Sequence, residues 1–85
     1  MKPVEIYTSP FCGYCHAAKR LLQAKGAAFT EHDVARDPSL RAVMMKRANG
    51  GRTVPQIFIG ETHVGGSDEL HALEKAGKLD ALLAD

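Results

Sequence analysis

The chain has 85 residues but only two cysteines, Cys12 and Cys15, and they stand three apart. A bridge between them closes too short a loop to restrict an unfolded chain much, whereas stapled secreted domains carry several bridges at wider intervals. The fold must therefore rest on packing, with a core that so short a chain keeps thin. With 45% hydrophobic residues the composition is globular, and the length suits one domain over residues 1–85 rather than two. A formal charge of +1 offers no global field for nucleic acid or an anionic membrane. No basic stripe with interleaved aromatics appears, so no nucleic-acid role is expected. No apolar run is long enough to cross a bilayer, and no signal-like apolar segment follows Met1. A cytoplasmic or otherwise reducing location is expected, where a reactive dithiol can be kept cycling.

Short apolar runs alternate with helical periodicity. Val4 to Tyr7 reads as a strand that ends before Pro10, which cannot donate to a sheet ladder. From Cys12 the period changes, with Ala17, Ala18, Leu21 and Leu22 on one helical stripe and Lys25-Gly26 as a stop signal. Ala28 to Val34 is a second strand, polar at Glu31, His32 and Asp33. Asp37-Pro38 opens a helix as N-cap and first-turn proline, with Leu40, Val43, Met44 and Arg47 on one face. Gln56 to Ile59 and Thr62 to Val64 form a hairpin around Gly60-Glu61. Ser67-Asp68-Glu69 starts another helix, with Leu70, Leu73 and Ala76 facing inward. Lys78 to Leu83 makes a short last one whose Leu79, Leu82 and Leu83 cover the sheet. This order predicts an α/β fold. The first two strands run parallel, the hairpin adds an antiparallel pair, and helices cover both faces of a small mixed sheet.

Cys12 falls just after a strand and a turn, at the mouth of the first helix, with Cys15 one helical turn further in. Unsatisfied N–H groups and the positive helix end stabilise a thiolate at Cys12. Cys15 is close enough to attack a mixed disulfide formed there. A structural zinc site would need four ligands, and His16, His32, His63 and His71 are too scattered to complete one. Tyr14 either walls the site or is a plain surface aromatic. Phe11 either packs under the loop or lines the groove. His16 is expected at the surface, although a charged imidazole there would lower a thiol pKa. Lys19 reads as a solvated helix residue.

Two further segments bear on this site. Thr53-Val54-Pro55 precedes the third strand, and a cis Val54–Pro55 bond would free backbone groups of Val54 for an extended substrate. Gly65-Gly66-Ser67-Asp68 runs into a helix N-terminus. It either presents N–H groups to a carboxylate, with Asp68 accepting from an ammonium, or is a turn with Ser67 as N-cap.

Taken together, Val4 to Thr8, Cys12-Gly13-Tyr14-Cys15, Arg52 to Ile59 and Gly65 to Leu70 resemble, in order and spacing, a glutaredoxin of the small bacterial dithiol class. The resemblance spans essentially the whole chain. It implies a thioredoxin fold, a four-stranded mixed sheet flanked by helices on both faces, and glutathione as the reductant. It also implies a glutathione site built from Tyr14, Thr53, Val54, Pro55, Gly66, Ser67 and Asp68. Val54 would pair through its backbone with the cysteinyl part, and Gly66, Ser67 and Asp68 would take the γ-glutamyl end. Expected partners are oxidised or glutathionylated proteins, ribonucleotide reductase among the candidates, served by a monomer.

Two positions depart from the family pattern. Gly13 stands where many dithiol members have proline, and loss of that proline resembles forms that bind a [2Fe–2S] cluster between two subunits with two glutathiones. A cluster carrier, ligated by Cys12 and glutathione in a dimer, is therefore an alternative. Ser9 stands where many members carry a lysine for a glutathione carboxylate. Arg41, Lys46, Arg47 and Arg52 are candidate substitutes, with Arg47 and Arg52 expected nearest the groove. A thioredoxin-like reductant served by a flavoprotein is the other enzymatic reading, against which Tyr14 and the Gly65–Asp68 turn both argue.

Overall fold

The structure, a computed structural model, describes all residues 1–85. Strand β1 (Val4–Thr8) lies inside the sheet, and its alternation divides the core. Val4 and Ile6 point to one face and Tyr7 to the other. Strand β2 (Phe29–Asp33) pairs with β1 in parallel. Strands β3 (Gln56–Ile59) and β4 (Thr62–Gly65) complete the antiparallel side, giving the order β2–β1–β3–β4. The expected mixed sheet is thus present. The polar text of β2 fits an edge strand with a single neighbour.

Helices α1 (Gly13–Ala24), α3 (Ser67–Lys75) and α4 (Leu79–Leu83) cover one face, where Ala18, Leu22, Leu70, Leu79 and Leu83 meet Val4, Ile6, Ile57 and Ile59. Helix α2 (Pro38–Arg47) covers the other, placing Met44 and the following Ala48 on Tyr7, Val34 and Phe58. Asp37 caps α2 as expected, its carboxylate accepting the Ser39 N–H at 3.1 Å. Val43 is a correction, since 47% of it is exposed. The inward row of α2 runs Leu40, Met44, Ala48 at a spacing of four, which leaves Val43 at the rim. Ala76 is likewise exposed, because α3 ends at Lys75. No helix is long and apolar enough to cross a membrane.

Charged groups pin β1 to its surroundings at the end that leads to the cysteines. Thr8, buried, donates its hydroxyl to Glu31 of β2 at 2.6 Å, and Lys19 of α1 meets the same carboxylate at 3.0 Å. The hydroxyl first, and the ammonium after it, hold the Glu31 carboxyl below its ordinary range despite partial burial. Lys19 is thus a tether between helix and sheet rather than a freely solvated residue.

Candidate functional site

Beyond Thr8 the segment Ser9-Pro10-Phe11 carries the chain to Cys12, which takes the N-cap position of α1 with an extended backbone. Its Sγ accepts the Cys15 N–H at 3.1 Å, the bond a capping oxygen would ordinarily make. A negatively charged sulfur is a better acceptor for that donor than a neutral one, and the helix dipole acts in the same sense. The structure holds the two cysteines as a disulfide, with Cα atoms 5.2 Å apart. They differ in access. Cys15 is completely buried, whereas Cys12 is half-buried. Only Cys12 is placed to meet an incoming sulfur.

The loop opposite Cys12 is held from two sides. Gln56, itself buried, donates its amide to the Thr53 carbonyl at 3.0 Å, and Arg41 donates to the Arg52 carbonyl at 2.8 Å. The Val54–Pro55 bond is cis, as the sequence led us to expect. The Val54 carbonyl oxygen lies 3.7 Å from Cys12 Sγ. A cavity of about 290 Å³ opens beside it, lined by Tyr14, Thr53, Val54, Pro55, Gly66, Ser67, Asp68 and Glu69. Seven of these eight residues were singled out in the sequence, and they come from three separate stretches. Tyr14 stays 68% exposed while lining the cavity, so it forms a wall.

At the far side of the cavity, α3 begins with Gly66 as N-cap, which has no side chain to satisfy the helix's first N–H groups. Ser67 is the first helical residue, so the reading of Ser67 as N-cap is corrected. Its carbonyl accepts from His71 Nδ1 at 2.8 Å. Since a carbonyl can only accept, Nδ1 carries the proton. The Ser67 hydroxyl, 3.2 Å from the same nitrogen, therefore keeps its own hydrogen to give. Gly66 lines the cavity, but its N–H is already taken by Glu69 Oε1 at 2.7 Å.

Other candidates are placed elsewhere. Phe11 is fully exposed and neither packs under the loop nor lines the cavity. His16 lies at the surface. Ser9, Arg47 and Arg52 are not part of the lining. Arg47 is committed to the sheet. It donates to Glu5 and to the Tyr7 hydroxyl, both at 2.9 Å, and stacks 4.2 Å from the Phe58 ring centre. The Glu5 carboxylate pushes the Arg47 pKa further up, and Arg47 followed by His32 holds Glu5 low. Expecting Arg47 near the groove overlooked this partner on β1. Arg41 is occupied on the Arg52 carbonyl, whereas the Arg52 side chain stays exposed beside Thr53. Glu69, in sequence only part of a helix start, was missed as a lining residue. Its signal was the Gly66-x-x-Glu69 spacing, which lets a carboxylate at the third helical position reach back to the N-cap N–H.

A reachable sulfur capping a helix, a buried partner sulfur one turn on and a facing cis-proline loop define a thiol–disulfide oxidoreductase of the thioredoxin fold. Within that class the chain belongs to the glutaredoxin family, whose model, described as Glutaredoxin, matches residues 4–64. It is 61% identical over 84 residues to a glutaredoxin of Pseudomonas aeruginosa, covering 99% of each chain. The solution structure of a Brucella melitensis glutaredoxin superposes with a TM-score of 0.84 at 58% identity, covering 98% of this chain and 89% of the other. A buckwheat glutaredoxin–glutathione complex superposes at 0.87 with 30% identity, covering 96% and 76%. The protein is accordingly a glutathione-dependent disulfide oxidoreductase with its dithiol at Cys12 and Cys15.

Proposed function

We propose that residues 1–85 act as one domain that reduces glutathione mixed disulfides and protein disulfides, with glutathione seated in the cavity beside Cys12. The observation that carries this reading is the convergence of Tyr14, Thr53, Val54, Pro55, Gly66, Ser67 and Asp68 on one cavity adjoining the reachable sulfur. Glutathione has a carboxylate and an ammonium at its γ-glutamyl end, an extended middle and a second carboxylate. The free N–H groups of Ser67 and Asp68 and the Ser67 hydroxyl suit the first carboxylate, and the Asp68 side chain suits the ammonium. The Val54 backbone suits the middle. Gly66 contributes the bare N-cap that leaves room for this end rather than a donor of its own. Arg52 is the candidate for the second carboxylate, because it stands exposed next to the lining residue Thr53, whereas Arg41 and Arg47 are engaged elsewhere. The buckwheat complex, similar over most of this chain, supports the same ligand.

In the first reaction the Cys12 thiolate attacks the glutathione sulfur of a mixed disulfide. The Cys12–glutathione bond forms as the substrate–glutathione bond breaks, and the substrate leaves as a thiolate. A second glutathione thiolate then attacks that sulfur, releasing glutathione disulfide and restoring Cys12. With a protein disulfide, Cys12 forms the mixed bond and Cys15 displaces the reduced protein. The resulting Cys12–Cys15 disulfide is reduced by two glutathiones. Oxidised and glutathionylated proteins are the proposed partners, with ribonucleotide reductase a candidate among them and a reducing compartment such as the cytoplasm the setting.

Reduction of a small glutathione mixed disulfide should saturate with that disulfide, whose glutathione moiety the cavity seats. Asp68→Asn should raise the KM for the mixed disulfide by roughly tenfold, since one charge-assisted contact to its glutathione moiety is lost, and leave kcat nearly unchanged. Arg52→Gln should do the same more weakly, because its charge is exposed and screened. A rate that never saturates with the mixed disulfide, or an Asp68→Asn variant with the parent KM, contradicts the proposed site.

The cluster-carrier reading finds a limited donor set. No three His, Cys, Asp or Glu side chains converge within the chain, and Cys15 is sealed, so each chain offers Cys12 alone. That set suits a cluster only when a second copy brings its own Cys12 and glutathione supplies the rest. Anaerobic reconstitution with glutathione that gives visible absorption and a dimer would support this reading.

A further inference from the structure

Glu69 sits at the meeting of the cavity and the turn that borders it, outside the dithiol chemistry. Its carboxylate folds back from the third residue of α3 to accept the Gly66 N–H, and it lines the cavity beside Asp68. Two glycines make that fold-back possible. A Cβ on Gly65 would stand 2.9 Å from Glu69 Oε1, and one on Gly66 would stand 3.3 Å from it. Gly65 also adopts a φ of +112°, which a side chain would strain. The same Gly66 Cβ would touch the Pro55 carbonyl oxygen at 3.5 Å, so the turn packs directly against the cis-proline loop.

We infer that Glu69 is a positioning residue for the γ-glutamyl end of glutathione, acting through the Gly66 N–H. A helix N-terminus presents several unpartnered donors, and an anion can settle among them in more than one register. Glu69 removes the outermost donor from that set and fixes the Gly65-Gly66 turn. The N–H groups of Ser67 and Asp68 and the Ser67 hydroxyl then remain as one defined carboxylate seat. Without Glu69 the turn loses its internal bond, and the freed Gly66 donor competes for the ligand carboxylate. The effect belongs to binding and not to sulfur chemistry, since Glu69 is no part of the Cys12 cap. The hydrogen bond, rather than the charge, performs the role, as the carboxylate would otherwise stand beside a ligand carboxylate without benefit.

This inference rests on the proposed glutathione site, and the test separates the two. Saturation with a small glutathione mixed disulfide is measured for the parent, Glu69→Ala and Glu69→Gln, with glutathione at fixed concentration. Glu69→Ala should raise the KM for the mixed disulfide by about five- to tenfold, the worth of one hydrogen bond, while kcat stays within about twofold. Glu69→Gln keeps an acceptor oxygen and should return the KM to within about twofold of the parent. A parent that does not saturate overturns the site reading itself. A saturating parent with an unchanged Glu69→Ala KM overturns the inference alone. A Glu69→Gln variant as impaired as Glu69→Ala overturns the hydrogen-bond role in favour of charge. Because Glu69 is exposed, both variants should keep the parent far-ultraviolet circular dichroism, and a fall in kcat together with loss of that signal would point to folding and contradict a positioning role.

Discussion

Replacement of Cys12 by serine should reduce both glutathione-dependent activities by on the order of 10³-fold or more, to the background of free glutathione. The reason lies in the electron flow. Every proposed cycle starts with an anionic sulfur displacing one sulfur of a disulfide, and a serine hydroxyl neither ionises near neutral pH nor makes an equivalent bond. No other group can substitute. Cys15 is completely buried, and the groups that line the cavity are poor nucleophiles at neutral pH. The fold should survive, because serine is itself a favoured N-cap and can accept the Cys15 N–H that the sulfur accepts now. Assays of a small mixed disulfide and of a protein disulfide, with glutathione regenerated, read the loss directly. Retention of more than a few per cent of either activity would move the nucleophile away from Cys12.

The second large effect divides the two reactions. Cys15→Ser should leave reduction of a small glutathione mixed disulfide within about twofold of the parent, yet slow reduction of a protein disulfide by more than about tenfold. Activation of Cys12 should persist because the capping donor is the Cys15 backbone N–H, which serine retains. What disappears is the resolving thiol, held one helical turn away, with Cα atoms 5.2 Å apart. An intramolecular thiol acts at an effective concentration that external glutathione does not match, so release of a trapped protein slows sharply. The covalent complex of enzyme and protein should then accumulate and be visible as a mass increase under non-reducing conditions. Equal loss of both activities would mean that Cys15 also supports Cys12, and equal retention would make it dispensable.

The order of elements was legible because each depends on local rules. The alternation of β1, the Asp37-Pro38 helix start and the Gly60-Glu61 hairpin all appear where pattern places them. The dithiol and its facing loop were legible because their chemistry needs rare residues at fixed spacing. Misreadings arose where a residue's partner lies far along the chain. Arg47 looked free because Glu5 and Tyr7, 42 and 40 residues away, are not visible as its partners in sequence. Val43 looked buried because two helical spacings fit the same text, and the sheet beneath α2 selects one. Ser67 looked like an N-cap because it precedes two acids, but the glycine before it takes that position so that Glu69 can fold back. Phe11 is fully exposed beside Cys12, and nothing in the structure explains so large an apolar surface there.

Both reactions depend most on the Cys12 sulfur being anionic and accessible at neutral pH. The direct measurement is the pH dependence of alkylation of the fully reduced protein by iodoacetamide, with the modified residue located by mass spectrometry. Because its sulfur accepts the Cys15 N–H at the positive end of α1, Cys12 should be modified first, with a rate midpoint well below the about 8.5 of a free cysteine. Cys15, sealed beneath it, should remain unmodified until the chain is unfolded. A midpoint at or above 8.5, or prior modification of Cys15, would contradict the account.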